Sequence, residues 1–577
     1  MHRFLIAAAH KSSGKTSVSV GLAAELSRRG LAVQAFKKGP DYIDPMWLAA
    51  ASGRSCRNLD FNLCTPDELQ REFARHAAQA DVCLVEGNKG LYDGLDLEGC
   101  NSNAALAQLL ELPVVLVLDA RGMTRGIAPL ILGYQAFERS LRIAGVILSR
   151  LGGQRHEAKL RAVIEHYTDV PVLGAMHEDP SLAISSRHIG LTPTNEDGAA
   201  QSRIALLAAA VARQVDIERL LAATVSKVPL PATPPLARPA QLRVRIPQEP
   251  SRQVESIPLA VLQEFSRQAG SRPVPQELSR QAGSRCLVVP QGLSRQAGSR
   301  PVSQGLSRQA ESKPLVIPQG LSRPAEAKLL VIQQGLSRPA GSRPLVVPRG
   351  LPLVVGIARD RAFGFYYPDD LEALERAGAT LRFFDTLRDA RLPRVDALIV
   401  GGGFPEVFMR ELEANACLRG EIRAAIEGGM PAYAECGGLM YLARSLSWRG
   451  ETRRMVGAIA GDVVMHERPV GRGYVRLVPT ESHPWRDRGE EQLEIPAHEF
   501  HYSSIEGLAP GTRFAYRVAR GFGVDGKSDG IVINNLLANY SHLRSAGSCN
   551  WAQRFVGFVR ERADARPAVP AQLSAVY

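Results

Sequence analysis

The run Leu5-Ile6-Ala7-Ala8-Ala9, followed by His10-Lys11-Ser12-Ser13-Gly14-Lys15-Thr16, constrains this chain more than any other stretch. Consecutive apolar residues suit a buried parallel strand, and Val18, Val20, Leu22 and Leu26 then recur as one face of a helix. The small-residue turn between strand and helix is a place to hold a polyphosphate. Backbone N–H groups around Ser13 and Gly14 point at a bound anion, Lys15 neutralises its β and γ oxygens, and the Thr16 hydroxyl completes a magnesium shell. The full phosphate-loop pattern has glycine five residues before Gly14, where this chain has Ala9. A turn of ordinary dihedrals tolerates that change.

Short apolar runs recur at residues 31–36, 82–85, 114–118, 144–148 and 170–175, with helical segments between them. Such alternation predicts an α/β fold, a parallel sheet covered by helices, with ligands gathered beyond the carboxyl ends of the strands. Polar motifs follow the runs accordingly. Lys37-Lys38-Gly39-Pro40-Asp41-Tyr42-Ile43-Asp44-Pro45 follows run 31–36, Glu86-Gly87-Asn88-Lys89-Gly90-Leu91-Tyr92-Asp93-Gly94 run 82–85, and Ser149-Arg150-Leu151-Gly152-Gly153-Gln154-Arg155-His156 run 144–148. Glu86, at a strand end opposite the loop, reads as a metal ligand or water-orienting carboxylate, or as a helix cap. Asp41 and Asp44 read as metal and substrate ligands beside Lys37, or as turn formers around Gly-Pro. Asp93 is a ligand or an Asp-Gly turn residue, and His188 a site residue or a packed strand-end histidine.

At 577 residues the chain is too long for one core. Its formal charge of +12 invites a nucleic-acid reading. Residues 240–350, however, hold 16 Lys+Arg against 6 Asp+Glu, a surplus of +10, and leave the rest nearly neutral. No specific nucleic-acid site is therefore expected. The eight cysteines form no Cys-x-x-Cys pair, which argues against a zinc ribbon or a disulfide framework. No apolar run approaches the ~20 residues that span a bilayer, and no leader pattern precedes the first strand, so a cytoplasmic location is expected.

A Ser-Arg-led unit recurs at Ser251, Ser266, Ser279, Ser294, Ser307, Ser322 and Ser337. It is rich in Pro, Gly and Arg and has no consistent apolar face, which predicts a disordered basic linker rather than a solenoid. The expected domains are 1–225, the linker 226–350, a second α/β domain 351–560 and a tail 561–577.

In that second domain, apolar runs at 353–357, 397–400 and 431–434 lead into Gly401-Gly402-Gly403-Phe404-Pro405-Glu406 and Glu435-Cys436-Gly437-Gly438. A cysteine on a sharp strand-to-helix turn stands exposed at the sheet edge, and the helix N-terminus behind it favours a thiolate nucleophile. Neighbouring backbone N–H groups can bind an oxyanion. His542, in Asn539-Tyr540-Ser541-His542, is the candidate base, with His498 and His501 as competitors. Those two histidines suggest a metal pair, but no third soft ligand accompanies them.

Together these motifs resemble the cobyrinic acid a,c-diamide synthase family. The resemblance covers nearly all of residues 3–196, where the phosphate loop, Gly39-Pro40-Asp41-Tyr42-Ile43-Asp44-Pro45, Glu86-Gly87, Gly90-Leu91-Tyr92-Asp93-Gly94, Arg155-His156-Glu157 and Arg187-His188-Ile189-Gly190-Leu191 follow in order. It implies a domain similar to dethiobiotin synthetase that uses MgATP to phosphorylate a substrate carboxylate. Asp41, Asp44, Glu86 and Asp93 would serve metal and acyl-phosphate chemistry, Tyr42 and Ile43 would lie near a tetrapyrrole, and Lys15 and Thr16 would serve ATP. Magnesium would be held by Thr16, Asp41 and Glu86, and the nucleotide by Ser13, Gly14, Lys37 and Ser149. The C-terminal half is similar to class I glutamine amidotransferases, which implies attack by Cys436 on L-glutamine, proton transfer by His542, and oxyanion donors at Gly403 and Gly437. Relatives of this type usually lack the acidic third member of the triad, and none is nominated.

The sequence departs from the family at Ser149, where an adenine-reading Asn is usual, at Asn88-Lys89 and Ser186 beside substrate motifs, and at Val475. These departures make amidation of siroheme or a sirohydrochlorin-type tetrapyrrole the alternative to cobyrinic acid. A non-catalytic ATP-dependent switch is the more distant alternative; it calls for a signature lysine, for which Lys11 stands one residue too close to Lys15, and it leaves Cys436 and His542 without a role. Homodimerisation is left open.

Overall fold

β1 (His2–Ala8) is buried on both faces: Leu5 and Ala7 enter one apolar core, while Phe4, Ile6 and Ala8 enter another. In the computed structural model, which describes residues 1–187, 190–226, 353–486, 493–546 and 549–564, it is the centre of a seven-stranded sheet. The partners are β2 (Val33–Lys38), β3 (Arg57–Leu59), β4 (Val82–Glu86), β5 (Val114–Asp119), β6 (Ile143–Leu151) and β7 (Val172–His177). The order is β3-β2-β4-β1-β5-β6-β7, and every pairing is parallel. Helices Lys15–Arg28 and Ala200–Gln214 cover one face, and Pro66–Ala77 and Gln154–Tyr167 the other. The first two pack backbone to backbone at Gly21, where a Cβ would lie 2.6 Å from Val211 and 2.8 Å from the Leu207 carbonyl oxygen. A small hairpin, β8 (Ser186–Arg187) with β9 (Gly190–Leu191), completes this half. Residues 227–352, His188 and residues 565–577 lie outside the described residues.

The C-terminal half contains β10 (Leu353–Ala358), β11 (Phe363–Phe365), β12 (Ala379–Phe384), β13 (Ala397–Val400), β14 (Gly402–Gly403), β15 (Ala432–Glu435), β16 (Ala443–Trp448), β17 (Glu451–Arg454), β18 (Ile459–Met465), β19 (Gly471–Pro479), β20 (Ile495–His501), β21 (Ser503–Glu506), β22 (Arg513–Arg520), β23 (Ser528–Ile533) and β24 (Leu536–Asn539). Its nine-stranded sheet runs β12-β10-β13-β15-β24-β23-β22-β19-β20, parallel from β12 to β24 and antiparallel beyond. Alternate residues again serve two cores: Ala397 and Ile399 face one, Leu398 and Val400 the other. A four-stranded sheet, β17-β16-β18-β21, packs beside it.

The described residues on the two sides of the repeat segment form one compact unit. A buried ion network crosses between its halves. Arg57 on β3 donates to Asp369 (2.6 Å) and to Glu372, while Arg544 donates to the other Asp369 oxygen (2.7 Å) and to the Asn58 carbonyl (2.7 Å). Burial acts to raise the Asp369 carboxyl, but Arg544 and Arg57 outweigh it and hold it well below the usual carboxylate range. This contribution is fully present above the unfolded carboxyl value of about 3.9 and is lost as the pH falls below it. Asp369→Ala would strand the Arg544 guanidinium without a carboxylate. A loss of about 3–5 kcal/mol is expected, read as a large drop in melting temperature by calorimetry. A melting curve within a degree of the parent would show that the halves do not depend on this pair.

Candidate active site

The turn after β1 holds its left-handed residues at Ser12 (φ 62°) and Gly14 (φ 86°), and Ala9 is not among them. Glycine's freedom is therefore not needed at position 9. Ser13 donates to the His10 carbonyl (2.8 Å), and Lys15 reaches the carbonyls of Lys89 (2.8 Å) and His10 (3.3 Å) across the mouth of the loop. Burial and the nearby Lys37 push the Lys15 ammonium down to about 8, so an arriving phosphate would meet a cation short of counter-charge.

Behind the loop a carboxylate cluster forms from three strand ends. Glu86, fully buried, accepts from Thr16 Oγ1 (2.8 Å) and Lys37 Nζ (3.1 Å) through Oε1, while its Oε2 is buried without a hydrogen-bond partner. Lys37 also meets Asp44 at 2.5 Å and lies 3.8 Å from Asp41. Burial disfavours the Lys37 ammonium, but Asp44, Glu86 and Asp41 outweigh it and raise it well above the ordinary lysine value. Asp41 caps the helix Ile43–Ser52 by accepting from Ile43 N (2.9 Å) and Asp44 N (3.1 Å); burial first, then Asp44, pushes it up to about 7. Thr16, Asp41, Asp44 and Glu86 are hard oxygen donors, and one Glu86 oxygen is left without a hydrogen-bond partner, a set that fits magnesium.

Asp93 instead accepts from Gly90 N (2.8 Å), the geometry of a turn residue, and acts on Lys15 only through its charge. Ser149 donates to the Ser13 carbonyl (2.8 Å) and to that of Leu118 (3.2 Å); its Cβ lies under Gly14 and braces the loop from behind. Asn103, which sequence reasoning missed, pins the Glu86–Gly90 loop: it accepts from Asn88 N (3.1 Å) and donates to the carbonyls of Asn88 (2.8 Å) and Gly90 (2.7 Å). The helix-starting Ser102-Asn103 pair was its only signal.

The second constellation stands at the end of β15. Cys436 has φ 46° and ψ −101°, a strained turn that ejects the side chain before the helix Gly437–Leu442. The turn survives because Gly437 and Gly438 have no side chains. A Cβ on Gly437 would lie 2.9 Å from both the Gly403 amide nitrogen and carbonyl oxygen, and one on Gly438 2.0 Å from the Val400 carbonyl oxygen. His542 arrives from beyond β24 and lines the same cleft as Cys436, which acts on its charge. Its Nδ1 lies 3.3 Å from Glu435 Oε2 and 3.3 Å from Tyr42 Oη. Burial opposes the imidazolium, but Cys436 and Glu435 outweigh it and push His542 up to about 10. His498 stacks on His542 at 4.8 Å; burial, then the His542 and Arg544 charges, lower it well below the ordinary histidine value. A neutral ring cannot replace the imidazolium. His501 bonds the Ser503 carbonyl (2.8 Å) and stacks on Tyr540 at 3.9 Å.

Both constellations line one cleft of about 730 Å³. Lys15, Thr16, Lys37, Asp41, Asp44 and Glu86 face it from one half, and Gly403, Cys436, His498 and His542 from the other. Tyr42 and Ile43 lie between them, with the Tyr42 ring stacked on Phe365 at 5.2 Å. Asn88 and Lys89 also line the cleft, whereas Val475 is buried in the core. Among the described residues, no helix is long and apolar enough to cross a membrane.

Residues 4–191 match the CobQ/CobB/MinD/ParA nucleotide binding domain family, and residues 354–548 the CobB/CobQ-like glutamine amidotransferase domain family. Over 97% of each chain, the sequence is 38% identical to the cobyrinate a,c-diamide synthase of Magnetococcus marinus. It is 34% identical to that of Methanosarcina acetivorans over 94% of this chain and 92% of the relative, and 32% identical to that of Listeria monocytogenes serotype 4b over 94% and 96%.

Proposed function

The chain belongs to the cobyrinate a,c-diamide synthase family, ATP-dependent ligases that draw nitrogen from glutamine, and we propose that it amidates the a and c acetate groups of cobyrinic acid through acyl phosphates. The observation that carries the reading is the shared cleft: a phosphate loop with a carboxylate cluster on one wall, and a cysteine–histidine pair on the other. Lys11, Lys15, Lys89 and Arg150 line it with positive charge, as a polyphosphate and a polycarboxylate macrocycle both require.

The chemistry follows from two obstacles. A carboxylate is a poor electrophile, and ammonium at neutral pH is no nucleophile. The substrate carboxylate therefore displaces ADP from the γ-phosphorus of ATP, with Lys15 and the loop amides holding the phosphate oxygens. Thr16, Asp41, Asp44 and Glu86 would hold magnesium, which when bound neutralises charge developing on the β and γ oxygens. Lys37 keeps the carboxylates from repelling one another. On the opposite wall the Cys436 thiolate attacks the glutamine side-chain carbonyl, and His542 gives its proton to the departing nitrogen. Ammonia leaves, and water then releases glutamate from the thioester with His542 as the base. Amides near Gly403 and Gly437 would stabilise the oxyanion. Ammonia crosses the cleft to the acyl phosphate and expels phosphate.

Asn88 and Lys89 in the lining support the alternative of a sirohydrochlorin-type tetrapyrrole as substrate. A paired assay separates the two. With ATP and glutamine, cobyrinic acid is expected to gain two amides in steps of one nitrogen, detected by mass spectrometry, and sirohydrochlorin none. The reverse pattern transfers the function to the alternative, and no amide on either substrate removes the reading.

A further inference from the structure

From the geometry around His542 we infer that Glu435, the residue immediately before the nucleophile, is the acidic positioning residue of the glutamine-hydrolysing site. The inference rests on the reading of Cys436 and His542 given above. It supplies a third member where sequence reasoning nominated none.

The placement follows from the sheet. β15 pairs with β24 in parallel, with Glu435 opposite Asn539. The chain leaving β24 therefore passes over the end of β15 within three residues, and His542 comes down beside the Glu435 side chain. The carboxylate is held at both ends: Oε1 accepts from Leu543 N (2.9 Å) and the Tyr433 hydroxyl (2.5 Å), which leaves Oε2 on His542 Nδ1 at 3.3 Å. The two side chains retain 9% and 5% of their exposure, so water hardly screens them. The other acids nearby are engaged elsewhere. Glu499 accepts from Phe522 N and Gly523 N at 2.8 Å each, and Asp529 accepts from the amides of Gly530, Tyr540 and Ser541. The ring is also confined from above, since a Cβ on Gly402 would stand 2.8 Å from His542 Cε1.

Nδ1 faces Glu435 Oε2 and Tyr42 Oη, both at 3.3 Å, which leaves Nε2 as the nitrogen available to Cys436. A carboxylate behind an imidazole fixes its orientation and tautomer and stabilises the imidazolium without itself taking the proton. The proton that His542 passes to the leaving nitrogen, and recovers from water, thus moves at Nε2, on the side of the ring away from Glu435. The titratable groups that face His542 are Cys436, Glu435, Tyr42 and His498.

Glu435→Gln removes the charge and retains an oxygen for Leu543 N and Tyr433. Glutamine hydrolysis should lose about 100-fold in kcat with KM for glutamine changed less than about threefold, the scale of a general acid–base contribution. The upper limb of its pH profile should move down by about a unit or more, because the imidazolium loses its carboxylate. Glu435→Asp should recover part of both. Wild-type kcat and an unmoved upper limb in a folded Glu435→Gln protein overturn the inference. If that variant does not fold, unchanged kcat and limb in folded Glu435→Asp, whose carboxylate is one methylene shorter, overturn it equally. The underlying reading is tested separately: if Cys436→Ala still hydrolyses glutamine, that reading fails, whereas an inactive Cys436→Ala beside an unaffected Glu435→Gln removes only the role of Glu435.

Discussion

Cys436→Ala is expected to lose about four orders of magnitude in glutamine-driven amidation while still forming amide from ammonium salts. The asymmetry has a physical source. Cys436 is the cysteine among the described residues that line the cleft, and it is a buried residue on the turn that ends β15. Without the thiol nothing attacks the glutamine amide, so glutamate release stops as well. The carboxylate cluster on the opposite wall is untouched, and free ammonia from solution can still reach an acyl phosphate. The residual reaction should grow steeply with pH, since only deprotonated ammonia is a nucleophile. Product masses measured with glutamine and with ammonium chloride test this directly, and equal loss with both nitrogen donors would remove the assigned role of the cysteine.

The parallel strands were legible because each is a short run of residues buried on both faces, as at residues 82–85 and 397–400. β3, Arg57-Asn58-Leu59, was not, because its burial comes from partners supplied more than three hundred residues later: Asp369 and Glu372 neutralise Arg57. The antiparallel strands β19 and β22 escaped for a related reason. Their exposed positions carry Arg472 and Gly473 on β19 and Arg513, Arg517 and Arg520 on β22, so no apolar run marks them. Residues of the candidate site were legible where they share one turn, and the structure brings Lys15, Thr16, Asp41, Asp44, Glu86 and Cys436 together in one cleft. Contacts that depend on strand register were not legible. Glu435 is adjacent to the nucleophile in sequence, yet its carboxylate reaches a histidine that only the pairing of β15 with β24 brings within 3.3 Å. Tyr42 lies in a motif read as facing a tetrapyrrole, and its hydroxyl also lies 3.3 Å from the same histidine. That contact joins the walls of the cleft, and no spacing in the chain could have announced it.

Glu86→Gln should have the opposite effect to the cysteine variant. Glu86 is the fully buried anchor of the cluster: Thr16 and Lys37 share one of its oxygens, and the other has no partner within the protein. Gln keeps the shape but removes the charge and turns an acceptor into a donor. Amidation from glutamine and from ammonium salts should then both fall about 10³-fold, the loss typical of a deleted group that stabilises developing charge. Glutamine hydrolysis should survive, because Cys436 and His542 do not touch Glu86. Mixing the two variants sharpens the test. Glu86→Gln releases ammonia that Cys436→Ala could use, but at neutral pH the ammonia entering bulk solution is protonated and diluted. The mixture is therefore expected to recover only a few per cent of wild-type glutamine-driven rate. Recovery to the wild-type rate would mean that ammonia travels through solvent and that the shared cleft is no passage. Normal amidation by Glu86→Gln alone would exclude Glu86 from metal and phosphate binding.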